Sequence, residues 1–149
     1  MTWFDAKDYC EGKGGKLVEI DSEEENRALV EEINRKRYTY RSMNFWIGLT
    51  DSKSEGDWRL ASSGLRPSYL NWHEDQPDNK GGDEDCAQIR IVPYSFWKAT
   101  WSDIDCNSTT AFPWINMHAL CEFSPSKESP STENPSTKSS TTKGASTKS

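Results

Sequence analysis

Carboxylate and carboxamide side chains are concentrated in one stretch of the chain, which runs from Gln76 to Cys106. They fall into three clusters, each beside a turn former or a cysteine: Gln76-Pro77-Asp78-Asn79, Asp83-Glu84-Asp85-Cys86 and Ser102-Asp103-Ile104-Asp105-Cys106. Oxygen atoms of these side chains are the ligands of calcium, which takes about six to eight of them. The stretch therefore favours a calcium site, and the alternative is a solvated acidic loop between two strands.

Two helices are predicted near the start of the chain. The first runs from Thr2, a suitable N-cap, to Gly12, and its apolar residues recur on one face. The second opens at Ser22, which forms a capping box with Glu25, and continues to about Arg35. We expect both helices to serve as scaffold and to carry no chemistry.

Strands and one long loop follow the helices. Residues 45–49 form an apolar run typical of a buried strand, and residues 87–91 alternate as a half-buried strand does. Between them, residues 61–75 are polar and glycine-containing, which indicates a long loop. We expect Trp72 to anchor this loop on the core and bound calcium to hold it at a second point.

The four cysteines indicate an oxidising compartment. They contain no C-x-x-C spacing, which argues against a zinc knuckle and for two disulfides, although the sequence by itself allows three pairings. Asn107 opens the glycosylation sequon Asn107-Ser108-Thr109. These features predict a secreted protein or the extracellular part of a membrane-anchored one.

The chain divides into a domain, residues 1–123, and a tail, residues 124–149. The tail is rich in Ser, Thr, Pro and Lys and has no large apolar side chain, so we expect it to be disordered. A plain linker and an O-glycosylated stalk are both consistent with this composition. The formal net charge of −6 makes nucleic acid and anionic membranes poor partners, and the sequence has no run suited to membrane insertion.

The motifs together resemble the C-type lectin domains over residues 2–123. The resemblance rests on Cys10 and on five further motifs: Trp46-Ile47-Gly48-Leu49, Gln76-Pro77-Asp78, Glu84-Asp85-Cys86, Trp101-Ser102-Asp103 and His118-Ala119-Leu120-Cys121-Glu122-Phe123. It implies an α+β fold in which two helices flank two small antiparallel sheets, with a long calcium-binding loop. It also implies the disulfides Cys10–Cys121 and Cys86–Cys106. Because such domains usually have a strand before the first helix, we expect a domain without its first strand, from a longer protein.

The resemblance also implies two calcium sites. The primary ligands correspond to Gln76, Asp78, Glu84, Ser102 and Asp103, and the bond before Pro77 is expected to be cis. Ser102 replaces the usual asparagine with a shorter hydroxyl side chain, so we expect weaker calcium binding than in a full-ligand member. The second site corresponds to Asp51, Glu55, Asn79 and Asp85.

In lectins that resemble this chain, Gln-Pro-Asp accompanies galactose and N-acetylgalactosamine, whereas Glu-Pro-Asn accompanies mannose. Two adjacent sugar hydroxyls would contact calcium and the primary ligands Gln76, Asp78, Glu84, Ser102 and Asp103. Lys80 stands where these lectins usually carry a stacking aromatic, and we expect an aromatic of an inserted loop, Trp97, Tyr94 or Phe96, to replace it. The expected partners are glycans or glycoproteins, and an oligomer would raise avidity.

The alternative is a domain of the same fold that binds protein and not sugar, with calcium structural or absent. Ser102 and Lys80 favour that alternative. An enzyme is disfavoured, because His73 and His118 are the only histidines and no G-x-S-x-G nucleophile motif is present.

Overall fold

The computed structural model describes residues 1–36, 43–92, 99–111, 115–125 and 146–148. Helix α1 spans Trp3–Gly12 and helix α2 spans Glu23–Lys36. The strands are β1 Lys16–Leu17, β2 Met43–Thr50, β3 Arg59–Leu60, β4 Cys86–Ile91, β5 Trp101–Ile104, β6 Thr110–Ala111, β7 Ile115–Glu122 and β8 Ser146–Lys148. A short helical turn, Lys80–Gly82, lies between β3 and β4.

Both helices begin close to where the sequence predicts. Thr2 caps α1 and forms a reciprocal capping box with Asp5. At α2, the N–H of Glu25 donates to Oγ of Ser22 at 3.1 Å, as predicted. The Glu25 carboxylate accepts from the N–H of Asp21 at 2.8 Å. In a reciprocal capping box it would accept from the N–H of Ser22, one residue later in the chain.

The strands join in a mixed sheet of order β1-β7-β2-β4-β5, with β3 paired to β2, and β6 and β8 paired to β7. The expected α+β class with two helices is confirmed. The two expected groups of antiparallel strands are linked into one sheet, because β2 and β7 pair in parallel from Asn44↔Met117 to Trp46↔Ala119. All other strand pairs are antiparallel.

Apolar side chains cover both faces of the central strand β2. On one face Phe45 and Ile47 pack into a cluster that includes residues of α2 and Trp101. On the other face Trp46 packs into a cluster that contains α1 residues and all four cysteines. Gly48 has no room for a side chain, since a Cβ there would lie 2.9 Å from the carbonyl oxygen of Leu17.

Both disulfide pairings are as the resemblance implies. Cys10 is joined to Cys121, which links α1 to β7, and Cys86 is joined to Cys106, which links β4 to the turn after β5. The second bond holds the two strands that carry the acidic motifs. Their positions relative to each other are therefore fixed covalently as well as by the sheet.

The end of the tail does not match the prediction of disorder. Ser146–Lys148 form β8, which pairs antiparallel with residues 119–121 of β7. Residues 126–145 and 149, to which the same prediction applies, lie outside the described residues. In the part of the chain that is described, no helix is long and apolar enough to cross a membrane.

Candidate functional site

The long loop before β4 is fixed to the outer edge of β5. The N–H of Trp101 donates to the carbonyl of Asn71 at 2.9 Å, and the N–H of His73 donates to the carbonyl of Trp101 at 2.8 Å. The Trp72 ring packs edge-on between Trp58 and Trp101, with centroid distances of 4.8 and 6.1 Å. The prediction that Trp72 anchors the loop is confirmed.

Asp103 of β5 organises the segment that follows. Its side chain is only 5% exposed, and its Oδ1 and Oδ2 accept hydrogen bonds from the N–H groups of Asp78 at 3.0 Å and Asn79 at 2.7 Å. The N–H of Asp103 donates to Oε1 of Gln76 at 3.4 Å. The bond between Gln76 and Pro77 is cis, as expected. Gln76 and Asp78 are thus both held against Asp103.

Glu84 closes the other side of this arrangement. Its Oε1 accepts from the N–H of Lys80 at 2.8 Å, and its own N–H donates to Oδ1 of Asn79 at 3.0 Å. As a result, one carboxylate oxygen from each of Asp78, Glu84 and Asp103 lies within 4.8 Å of the others. We call these three residues the loop cluster.

The loop cluster is electrostatically unfavourable by itself. Burial raises the pKa of Glu84 to about 7, and its hydrogen bond to Asp78 and the negative charge of Asp103 act in the same direction. The shared hydrogen bond with Glu84 lowers the pKa of Asp78. Burial also raises the pKa of Asp103, although the two backbone N–H groups oppose that rise. A divalent cation among these oxygens would neutralise the charges that they hold together.

A second group of carboxylates, Asp51, Glu55 and Asp85, lies at the end of β2, again with one oxygen from each within 4.8 Å of the others. We call it the strand cluster. Asp51 is 2% exposed, and its Oδ2 accepts from the N–H of Gly56 at 2.8 Å. Its Oδ1 is buried and has no hydrogen-bond partner among the described residues.

The backbone of Asp85 also contacts the other side of the strand cluster. Its carbonyl accepts from the N–H of Asp51 at 3.1 Å and from Oγ1 of Thr50 at 2.6 Å. Burial raises the pKa of Asp51 to about 6, and the charges of Glu55, Asp85 and Asp103 add to the rise. An unpartnered carboxylate oxygen beside two further carboxylates is a donor set that fits calcium.

Two expected ligands have other partners in this structure. Oδ1 of Asn79, expected in the second calcium site, accepts the N–H of Glu84. Oγ of Ser102, expected in the primary site, accepts from Nε2 of Gln88 at 3.1 Å. The contact of Gln88 with Ser102 was not predicted. The alternation of residues 87–91 marked Gln88 only as a polar strand residue, and no local pattern showed which residue of β5 lies opposite it.

Two further predicted features, Lys80 and Asn107, can be placed, whereas a third cannot. Lys80 is exposed at the start of the helical turn, and its N–H donates to Glu84 of the loop cluster. Asn107, the sequon residue, is exposed directly after Cys106. Trp97, expected to contact sugar, lies outside the described residues.

Comparison with known proteins identifies this architecture. Residues 1–123 match the family model described as Lectin C-type domain. A perlucin-like protein from Mytilus galloprovincialis is 39% identical over 111 residues, which are 72% of this chain and 64% of that protein. The chain therefore spans about two thirds of the length of that relative.

Solved structures agree with the sequence match. The carbohydrate-recognition domain of the mouse scavenger receptor C-type lectin is 34% identical and superposes with a TM-score of 0.59 over 72% of this chain and 73% of that one. A calcium-independent type II antifreeze protein is 26% identical, with a TM-score of 0.56 over 72% of each chain. The family match over residues 1–123, the two disulfides and the shared fold show that this chain belongs to the C-type lectin domain family.

Proposed function

We propose that this chain is a calcium-dependent carbohydrate-binding domain that recognises galactose or N-acetylgalactosamine. The observation that carries the proposal is the docking of the Gln76-Pro77-Asp78 segment on Asp103. That docking gathers three carboxylates and a carboxamide at one point on the surface of the domain. Members of this family are generally non-enzymatic carbohydrate-binding proteins, so we do not propose an enzyme.

Calcium at the loop cluster would supply a positive centre able to accept lone pairs from two neighbouring sugar hydroxyls. The primary residues proposed to hold it are Gln76, Asp78, Glu84, Ser102 and Asp103. Carboxylates can only accept hydrogen bonds and a carboxamide can also donate, so Asp78 and Glu84 would accept sugar protons while the Gln76 amide group donates. The remaining carboxylate, Asp103, is committed to two backbone N–H groups and would orient the loop.

The order of amide and acid supports galactose over mannose. Oε1 of Gln76 faces the N–H of Asp103, which directs the donating NH₂ group away from β5. In the sequence, the amide residue Gln76 precedes Pro77 and the acidic residue Asp78 follows it. In mannose-type members that the sequence resembles, acid and amide stand in the opposite order. We propose that Trp97 supplies the apolar contact to the sugar ring, since Lys80 offers none.

We propose a structural role for calcium at the strand cluster. Asp51, Glu55 and Asp85 connect the end of β2 to the start of β4, and Asp85 directly precedes Cys86. An ion there would brace the base of the long loop without contacting sugar. Asn79 was expected at this site, and its hydrogen bond to Glu84 instead connects it to the loop cluster.

A protein-binding domain that has lost sugar affinity is the second candidate. The observation that favours it is the hydrogen bond between Ser102 and Gln88, which gives a primary ligand position another partner. The calcium-independent type II antifreeze protein has the same fold, so the fold does not require the ion.

Several features support a setting outside the cell. Two disulfides are typical of oxidising compartments, and Asn107 is exposed where a glycan could be attached. We propose that the domain acts as a secreted protein or as the extracellular part of an anchored one. Its partners would be glycans or glycoproteins, and assembly into an oligomer would raise the avidity for them.

Affinity chromatography tests the proposal. The oxidised chain is applied to galactose resin and to mannose resin in the presence of calcium, and EDTA is then added. Retention on galactose alone, with elution by EDTA, is the expected result. Passage through both resins with calcium present would favour the protein-binding candidate, and retention on mannose would contradict the galactose assignment alone.

A further inference from the structure

An open groove lies beside the long loop. It has a volume of about 560 Å³ and is lined by residues 55–58 of the turn after β2 and by Arg66, Pro67 and Leu70 of the loop. None of the three loop cluster residues lines it. Concave sites of this size that combine apolar walls with a few charged groups are typical of ligand sites. The proposed sugar contacts make no use of this groove.

Both walls of the groove are held in place by contacts within the domain. In the turn, the N–H of Gly56 donates to the carboxylate of Asp51 at 2.8 Å. In the loop, the hydroxyl of Ser68 donates to the carbonyl of Asp21 at 3.3 Å. The groove is therefore formed before any ligand binds, which lowers the entropic cost of binding.

The loop side of the groove presents apolar side chains to solvent. Leu65 is 65% exposed and Leu70 is 46% exposed, and Phe4 of α1 is the third exposed large apolar residue among those described. Pro67 and Trp58 continue the apolar surface into the groove. Single exposed apolar side chains are ordinary, whereas neighbouring ones mark a contact with another molecule.

Arg66 is the charged group of the groove that a ligand can use. The neighbouring carboxylate of Asp57 already accepts two hydrogen bonds from Arg59, at 3.0 Å from Nε and 2.9 Å from Nη2. Nε of Arg66 lies 3.8 Å from the same carboxylate, and the Arg66 side chain is mostly exposed. Two guanidinium groups thus share one carboxylate, so a second carboxylate, brought by a ligand, would complete the pairing of Arg66.

Trp58 adds an unused hydrogen-bond donor to the groove wall. It is 7% exposed, and its Nε1 is buried without a hydrogen-bond partner among the described residues. A buried donor that lacks an acceptor is unfavourable. A peptide carbonyl placed against Trp58 would satisfy this donor.

We propose that this groove docks an extended segment of a protein partner that carries a carboxylate beside an apolar side chain. Arg66 pairs with the carboxylate, Leu70 and Pro67 contact the apolar side chain, and Trp58 donates to a backbone carbonyl. A protein fits because aromatic and Arg side chains are enriched where proteins meet. In addition, Leu65 does not line the groove and extends the apolar surface beyond it. The inference does not depend on whether the loop cluster binds sugar.

A peptide titration followed by nuclear magnetic resonance tests the groove. The probe is acetyl-Leu-Glu-Leu-amide, added to the isotope-labelled, oxidised chain up to about 5 mM, a range that covers the affinity expected of so short a peptide. We expect shifts of the backbone N–H signals of residues 55–58, 66 and 70 and of the indole N–H signal of Trp58. The same peptide with Gln in place of Glu is expected to bind about two- to fivefold more weakly, the effect of one exposed ion pair.

Matched variants assign the two contacts. Arg66→Gln is expected to weaken binding of the Glu peptide about two- to fivefold and to leave binding of the Gln peptide unchanged. Leu70→Ser is expected to weaken binding of both peptides about fivefold, because part of a leucine side chain is no longer buried. Arg27→Gln and Phe4→Ser make the same kinds of change on exposed side chains of the helices and should leave both affinities unchanged. The spectrum of each variant reports whether its fold is intact.

The possible outcomes distinguish this inference from the proposed function. Absence of shifts at the groove residues overturns it, as do equal affinities for the two peptides or equal losses in Arg66→Gln and Arg27→Gln. Galactose resin is applied to the same variants, and Arg66→Gln and Leu70→Ser should be retained like the wild-type chain. Loss of retention in both would place the groove within the sugar site and overturn the inference. A wild-type chain that binds the Glu peptide in the groove but no galactose supports the inference and contradicts the proposed function alone.

Discussion

The loop cluster and the strand cluster contain the same number of carboxylates but are built differently. Asp78, Glu84 and Asp103 come from three segments and accept backbone N–H groups from the turn that they enclose. Asp51 and Glu55 come from one turn after β2, where Asp51 accepts the nearby N–H of Gly56. The loop cluster therefore depends on the conformation of a long loop, whereas the strand cluster joins the turn after β2 to Asp85, the residue directly before β4.

This difference separates a binding role from a bracing role. A ligand site needs groups that face outward, and Asp78 is exposed while Asp103 is buried beneath it. In the strand cluster it is Asp51, the residue nearest the core, that has an unpartnered oxygen. Neutralising the strand cluster would thus mainly stabilise the fold, whereas neutralising the loop cluster would create a charged centre at the surface.

Asp103→Asn is expected to have the largest effect. The variant keeps a side-chain oxygen for one backbone N–H and removes the charge at the centre of the loop cluster. We expect calcium affinity of that cluster to fall more than about a hundredfold, beyond the usual effect of losing an outer-shell partner. Galactose retention should be lost and the strand cluster should still bind calcium. Two-site calcium titration and galactose resin measure both results, and normal retention would mean that the site lies elsewhere.

Asp103→Ala is a less specific test than Asp103→Asn. We expect it to lose sugar binding as well. The two carboxylate oxygens of Asp103, however, accept hydrogen bonds from the N–H groups of Asp78 and Asn79. Removing both acceptors would also disturb the turn. The asparagine variant is therefore the matched comparison.

Acidification should separate the two clusters next. Calcium binds the deprotonated carboxylates, so its affinity falls as each ligand becomes protonated. The pKa of Glu84 is raised to about 7 and that of Asp51 to about 6. From pH 7 to pH 6 we expect the loop cluster to lose up to about tenfold in affinity, while the strand cluster weakens mainly below pH 6. Calcium titrations at pH 7.5, 6.5 and 5.5 would measure this, and equal losses at both clusters would contradict it.

Asp51→Asn is expected to affect only the strand cluster. The amide oxygen can still accept from Gly56, so the turn is preserved while the charge is lost. We expect calcium affinity there to fall about tenfold or more, with galactose affinity changed less than about twofold. Calorimetry with galactoside at saturating calcium measures the second quantity. A large loss of galactose affinity would show that the two clusters act as one site.

Stability without calcium should show the smallest effect. The raised pKa values of Glu84 and Asp51 mean that the folded chain binds protons more tightly than the unfolded chain between their ordinary and raised values. The stabilisation that this tighter proton binding contributes is present at low pH and is lost as the pH rises through about 6 and 7. We expect melting in EDTA to shift upward by roughly 2–4 °C between pH 7.5 and pH 5.5. A downward shift over that range would contradict the origin given for these pKa values.

Local patterns and the family resemblance were sufficient to predict much of the fold. The N-caps at Thr2 and Ser22 and the buried strand around Trp46 each depend on a few neighbouring residues. The cis bond before Pro77 was implied by the family resemblance alone. The disulfide pairing followed from the resemblance and is confirmed. Asp78, Glu84 and Asp103, which the resemblance implies as primary ligands, lie together in the structure, and their role as calcium ligands stays a prediction.

The features that escaped prediction depend on register between distant strands. The parallel pairing of β2 with β7, the pairing of β8 with β7 and the contact between Gln88 and Ser102 each join segments that no local pattern aligns. The hydrogen bond from the N–H of Glu84 to Oδ1 of Asn79 is a further contact of this kind, and the assignment of Asn79 to the second calcium site stays a prediction. Such contacts are set by the folded loop and have no signature in residue types alone.

The most direct test of the central claim is a calcium titration of the oxidised chain by calorimetry, alone and with galactose or mannose present. The lectin assignment predicts that calcium binds, that galactose tightens its binding, and that mannose leaves it unchanged. Calcium binding without coupling to either sugar would make the ion structural and would contradict the claim that this domain uses calcium to hold galactose.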